Sequence, residues 1–265
     1  MRQAVFILTT TAIIIVIINT GAVLSNRKQN PAYKLDMAKD SVDDQFIGCA
    51  EETNKLIIDK VLGEELNKDA EFKKLWNKYS NSTDNFTRII KVYTHPGVLY
   101  SKFNAAARSG KKYYPKTFNY TAFHFLLTRA VQIYKVLSCV NVFRRTNVSF
   151  EIPKINAAMR FGGFASTSFK KDLKIFGNKS CFEINTCFGA NITNISRLPD
   201  EEEVLVPPYE MFTITNITRE KNYMNCEVLY TLKSAGNFSY MNCELLKHQP
   251  RPHYSPHYPP HRNIG

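Results

Sequence analysis

Residues 201–203 are three consecutive glutamates that run straight into Val204-Leu205-Val206 and stop at Pro207-Pro208. Acidic triplets usually sit on solvated loops, and a solvated strand entry is the plainer reading of this one. The apolar run behind it, however, reads as a buried strand. If that strand begins at about Glu201, side chains alternate between faces, so Glu201 and Glu203 share one face and Glu202 takes the other. Two carboxylates on one sheet face repel each other, which suits acid–base work or stabilisation of a cation. Two other segments carry comparable chemistry. In "RFGGFASTSF", residues 160–169, Gly162-Gly163 permits close backbone approach, and Ser166 and Ser168 share a face within an aromatic strand. Buried hydroxyls need partners, and a carboxylate from a neighbouring strand would serve; the plainer alternative is a hydroxyl-rich edge strand. In "CVNVFRRT", residues 139–146, Arg144 ends an apolar strand. Its rigid fork is suited to a phosphate or carboxylate, although a surface arginine is by itself ordinary.

The elements that must position these residues change character midway along the chain. From residue 41 to about 80, apolar residues recur every three or four positions, the period of a helix, with Asp43 or Asp44 as the expected cap. "AEFKKLWNKYS" reads as a further helix with Trp76 in the core. "TRIIKVYTHPGVLYSKFNAAARSG" reads as a helix or strand, a Pro-Gly turn, and a helix stopped at Gly110. "AFHFLLTRAVQIYKVLS" has the strongest helical period, with Phe123, Leu126, Leu127, Ala130 and Ile133 on one face and His124 in a structural role. From Cys139 onward the segments are short, β-branched and aromatic, and separated by turn formers, as strands are. "EEVLVPP" and "GNFSYMNCELL" are among them. The fold class is α+β, a mainly helical N-terminal half packed on a C-terminal β-sandwich-like core.

At 265 residues the chain suits one domain with a sizeable core, and its net charge of +12 gives a basic surface fit for nucleic acid, anionic membrane or an anionic small ligand. The N-terminus narrows these. Arg2 precedes the apolar run "VFILTTTAIIIVIINTGAVLS", and Val23 and Ser25 are small enough for cleavage after Ser25. Residues 1–25 read as a signal peptide, with an uncleaved signal anchor as the alternative, because the run approaches membrane-spanning length. Either way the rest is expected to be secreted, extracellular or lumenal, which excludes nucleic acid as a partner. Sequons at Asn81, Asn85, Asn119, Asn147, Asn178, Asn191, Asn194, Asn216 and Asn237 agree with export. So do six cysteines without C-x-x-C spacing, which argue for disulfides and against zinc. Residues 26–247 form the expected folded domain. Residues 248–265, rich in Pro, His and Tyr, are expected to form an extended or disordered tail with solvated histidines, and, lacking a hydrophobic stretch, to carry no glycolipid-anchor signal.

Taken in order, Arg144 on a strand, Ser166-Thr167-Ser168, and Glu201-x-Glu203 make the pattern of the arginine-specific mono-ADP-ribosyltransferases. The chain resembles the vertebrate ecto-ADP-ribosyltransferase family over nearly the whole mature sequence: "MAKDSVDDQFIGC" is similar to its entry segment, "AFHFLLTRAVQIYK" to its central helix, and "MRFGGFASTSF", "TCFGANI" and "EEEVLVPPYEMF" to its sheet. The resemblance implies that family's fold and transfer of ADP-ribose from NAD to arginine side chains of acceptor proteins, with no metal. By the same resemblance, Arg144 binds the NAD phosphates and the nicotinamide-side ribose, and Ser166 orients the catalytic glutamate. Glu203 hydrogen-bonds the ribose and stabilises the oxocarbenium ion, Glu201 engages the acceptor guanidinium, and the loop between Cys187 and Glu201 faces the acceptor. Where the family usually has glycine after the motif arginine, this chain has Arg145, followed by the sequon at Asn147. The resemblance pairs Cys49 with Cys243 and Cys139 with Cys187. Cys181 and Cys226 lie outside the shared pattern and are expected to form a third bridge. Two alternatives remain: an NAD glycohydrolase using water at the same site, and a catalytically silent secreted binding glycoprotein, against which the Glu-x-Glu pattern argues. A monomer is expected, touching membrane only if the leader stays uncleaved.

Overall fold

The computed structural model describes residues 33–249. The leader and the tail from residue 250, with the expectations that concern cleavage, anchoring and solvated histidines, lie outside the described residues.

The helices come first. Ala50–Leu56 (α1) passes through a π-helical turn, Ile57–Val61, into Leu62–Lys68 (α2). Asp69 ends α2 in extended backbone, and its carboxylate accepts from Phe72 N at 2.9 Å, capping Ala70–Lys78 (α3). Asp84 caps Asn85–Tyr93 (α4) through Phe86 N and Thr87 N, both at 2.8 Å. After the Pro96-Gly97 break, Leu99–Ser109 (α5) stops at Gly110, where an added Cβ would lie 2.7 Å from the Phe118 ring. Thr121–Ile133 (α6) is the hub: residues 121–128 are all buried, and Phe123 stacks on Phe103 with centroids 4.4 Å apart. No side chain of its own caps α6. Instead the buried Glu65 of α2 accepts from Ala122 N and Phe123 N at the positive end of the helix, and burial pushes its carboxyl up to about 8. Ile133 departs from the expected buried face; it is 51 % exposed.

Asp43 and Asp44 do not cap the first helix, whose N-cap is Cys49. Asp44 accepts instead from the N–H groups of Phe46, Cys243 and Glu244. Asp43 accepts from Tyr240 N and Met241 N and pairs with Arg160 at 2.5 Å, both side chains fully buried. These contacts explain a second departure. "GNFSYMNCELL" is not a strand beyond Asn237 but an irregular segment closed by Glu244–Lys247 (α7), because its backbone donors go to the two carboxylates rather than to a sheet neighbour.

The strands are Val140–Thr146 (β1), Ala158–Met159 (β2), Ala165–Ser168 (β3), Ser180–Thr186 (β4), Ala190–Asn191 (β5), Glu203–Val206 (β6), Glu210–Thr218 (β7) and Val228–Asn237 (β8). They form one sheet in the order β2-β7-β8-β4-β1-β3-β6-β5, antiparallel except for the β4–β8 pair. Phe212 and Ile214 of β7 meet Val204 and Val206 of β6 in one apolar cluster with Val142, Phe182 and Ile184, so the sheet curls around its own core in the sandwich-like manner expected. Leu205, on the alternate face of β6, packs among the helices. All four residues of β6 are therefore buried. Disulfides join Cys49 to Cys243, Cys139 to Cys187 and Cys181 to Cys226, the three pairings expected.

Candidate active site

Strands β1, β3 and β6 are neighbours, and that order brings the three chemistry-bearing segments together. The register sets Phe143 opposite Ser168, Ser168 opposite Glu203 and Ser166 opposite Leu205. A cavity of about 390 Å³ opens there, a usual size for a small-molecule site, and Arg144, Ser166, Glu201 and Glu203 all line it. The Arg144 guanidinium donates from Nη1 to the Ser166 carbonyl at 2.6 Å, which braces it against β3. Burial lowers its pKa, yet an arginine starts so high that it stays charged.

Glu203 is the first residue of β6 and only 4 % exposed. Burial pushes its carboxyl up to about 7, and the neighbouring Glu201 adds to the rise. The Ser166 and Ser196 hydroxyls and Arg144 oppose it. Ser196 Oγ donates to Glu203 Oε2 at 3.2 Å. Ser166 thus acts on the carboxylate itself. Ser168, expected on the same strand face, donates to the backbone carbonyl of Glu201 at 2.5 Å.

The strand does not start at Glu201. Pro199–Glu201 is a 3₁₀ turn, Glu202 has left-handed backbone with φ 46°, and only Glu203 is extended. Ser168 Oγ and Phe169 N take the carbonyls of Glu201 and Glu202, which hold the turn in place of a ladder. Glu201 and Glu203 therefore do not share a strand face; the turn delivers Glu201 to the same cavity, where partial burial raises its pKa. Glu202 turns outward to pair with Lys170 at 3.3 Å. Arg145 is a clamp rather than a second cation free in the site. Nε donates to Gly177 O, Nη1 to Lys171 O and Nη2 to Met224 O, which fixes the 171–177 loop that brings Leu173 and Phe176 to the cavity wall.

Several residues of the site escaped the sequence reading. Tyr93 at the end of α4 donates to Phe164 O at 3.1 Å and accepts from Asn104 Nδ2 at 2.9 Å, while Asn104 Oδ1 accepts from Phe164 N at 2.9 Å. This triangle locks the segment before β3 to the helices, and burial pushes the Tyr93 hydroxyl up to about 12. Ser196, with its bond to Glu203, was missed as well. One signal was legible: Asn104 falls on the buried stripe of α5 with Leu99, Phe103 and Ala107, where a polar side chain requires partners.

Residues 35–236 match the family described as NAD:arginine ADP-ribosyltransferase. The chain is 32 % identical over 233 residues to NAD(P)(+)–arginine ADP-ribosyltransferase 2 of Gallus gallus, covering 80 % of this chain and 73 % of that protein. It is 36 % identical over 210 residues to T-cell ecto-ADP-ribosyltransferase 2 of Mus musculus, covering 72 % and 71 %. Over 243 residues it is 32 % identical to ecto-ADP-ribosyltransferase 5 of Homo sapiens, covering 82 % of each. Among solved structures, the eukaryotic mono-ADP-ribosyltransferase ART2.2 aligns with a TM-score of 0.67 at 29 % identity over 80 % of this chain and 98 % of that one. A mutant of the same enzyme in complex with NAD aligns with a TM-score of 0.65 at 31 % identity over the same shares. The chain belongs to the NAD:arginine ADP-ribosyltransferase family.

Proposed function

We propose that this protein transfers ADP-ribose from NAD to arginine side chains of acceptor proteins outside the cytosol, and releases nicotinamide. The observation that carries the reading is the convergence of Glu203, Glu201, Ser166 and Arg144 on one cavity. The cavity's chemistry fits NAD as substrate. Arg144 and Arg108 offer cationic forks to a pyrophosphate, and Tyr93, Tyr100, Phe143, Phe164 and Phe176 offer flat surfaces to its rings.

In the reaction the bond between C1′ of the ribose and the nicotinamide nitrogen breaks. The electron pair leaves with nicotinamide, which departs neutral, and the ribose becomes an oxocarbenium ion. Glu203 supplies the fixed negative charge beside it, aimed by Ser166 and Ser196. An acceptor guanidinium is a poor nucleophile until it loses a proton. Glu201, more exposed and with its own raised pKa, takes that proton. The freed nitrogen lone pair forms the bond to C1′, the product guanidinium keeps its positive charge, and one proton is released in balance. Three disulfides support an oxidising compartment, as do relatives named as ecto-enzymes.

The test is an assay of Glu203→Ala, Glu201→Ala and Glu202→Ala for released nicotinamide and for ADP-ribosyl-agmatine. Glu203→Ala should lose both by at least about a hundredfold, as expected for loss of one preorganised electrostatic contact. Glu201→Ala should lose transfer and keep measurable NAD hydrolysis. Glu202→Ala should keep both. A dead Glu202→Ala beside an active Glu203→Ala would refute the assignment, and nicotinamide release without transfer in the unmutated protein would favour the glycohydrolase.

A further inference from the structure

A cationic cluster lies beside His95, which lines the same cavity as Glu201. Arg197 opens the turn that brings Leu198 and Glu201 to the cavity wall, and its N–H donates to Thr94 Oγ1 at 3.0 Å, which ties the turn to the end of α4. The next residue, His95, also lines the cavity and has Nδ1 2.5 Å from the Tyr79 hydroxyl. Two cations sit over the Tyr79 ring, the Arg197 guanidinium at 5.5 Å from its centroid and the Lys78 ammonium at 5.8 Å. Lys74 lies one helical turn before Lys78, and Lys74, Lys78 and Arg197 are all exposed. Burial lowers the pKa of His95, and the charges of Lys78, Arg197 and Lys74 lower it further, so all three act on one spot. None of the three joins an ion pair among the described residues, and Glu71, whose charge acts on His95 in the opposite sense, is paired with Lys102 at 3.2 Å. The ring attracts the Lys78 and Arg197 side chains to its face, which keeps the two charges together.

A rim of this sign at the His95 side of a cavity that also holds a guanidinium-accepting carboxylate repels the bare substrate group. An acceptor must bring compensating negative charge. Resting on the transfer reading above, we propose that the preferred acceptor is a protein arginine set among acidic side chains, whose carboxylates engage the Lys74–Lys78–Arg197 rim while the guanidinium reaches Glu201. The dinucleotide does not need these cations, because Arg144 and Arg108 line the cavity itself.

The test measures transfer from NAD to peptides with a single arginine flanked by glutamates or by lysines, with agmatine as the small acceptor. The acidic peptide should have the higher kcat/KM by about tenfold or more at low ionic strength, and the advantage should shrink as salt screens the rim. In the double variant Lys78→Glu, Arg197→Glu the order of the peptides should invert, while transfer to the agmatine dication holds or rises because repulsion is gone. Equal rates for the two peptides, or a ratio insensitive to salt, would overturn the proposal without any variant having to fold. A raised KM for NAD in the double variant, with no change in peptide preference, would assign the rim to the dinucleotide and also overturn it. If the unmutated protein modified neither agmatine nor any peptide, the transfer reading itself would fall and take the proposal with it.

Discussion

At Glu203, burial works in two directions at once. It strengthens any charge–charge interaction with the sugar and also makes the charged carboxyl harder to form, so the pKa rises from the ordinary 4.5 to about 7. If the ionised form is the active one, kcat/KM for NAD should be low near pH 5 and climb through about pH 7, since proton loss from the free enzyme is what arms the site. The Ser196 hydroxyl favours the carboxylate, so Ser196→Ala should move this acid limb to higher pH, and Ser196→Thr should restore it. Ser196 is also the third residue of the sequon Asn194-Ile195-Ser196, so Asn194→Gln, which removes the sequon and spares the hydroxyl, is the necessary companion. Equal shifts in the two variants would rule out the hydrogen bond as the cause. The four candidate site residues, which the fold brings to one cavity, stood out in the sequence because an arginine, a serine pair and a carboxylate pair have recognisable types and order. Ser196, Tyr93 and Asn104 were not, because their roles come from partners brought close only by folding; Tyr93 and Phe164 are 71 positions apart.

The turn before β6 shows the limit of reading an element from its pattern. Alternation across residues 201–206 is compatible with a continuous strand, and nothing in the triplet announces that Glu202 adopts left-handed backbone. What decides it lies on β3, whose end supplies Ser168 Oγ and Phe169 N to the turn carbonyls. The prediction that follows is specific to backbone. Glu202→Gly removes a side chain from a conformation that costs an L-residue about 1 kcal/mol, and it forfeits only a half-exposed ion pair with Lys170. It should raise the melting temperature or leave it unchanged, whereas Glu202→Val should lower it; the reverse order in a thermal melt would contradict the assigned φ. Elsewhere the elements were easier to read. The period of α6 and the Pro-Gly break between α4 and α5 are local signals, and both lie as expected, except that α6 ends at the exposed Ile133 instead of running on to Ser138.

At the scale of the molecule, the helical half and the strand half were visible in the spacing and types of the residues. The seam between them was not, because Asp43 and Asp44 look like helix caps in the sequence and prove to hold the far end of the chain through Tyr240, Met241, Cys243 and Glu244. The Cys49–Cys243 bridge covers that seam with a covalent bond across 194 positions, and the other two bridges lie within its span. The domain is therefore a closed ring, and a severed peptide bond inside it opens the ring without separating the pieces. Arg219-Glu220-Lys221, exposed between β7 and β8, offers trypsin such a place. Limited digestion there should leave a single band on a non-reducing gel and two fragments once thiol is added; two fragments without reductant would mean that both Cys49–Cys243 and Cys181–Cys226 are open. A protein wired in this way would outlast its first encounters with protease, clipped in sequence but still one molecule.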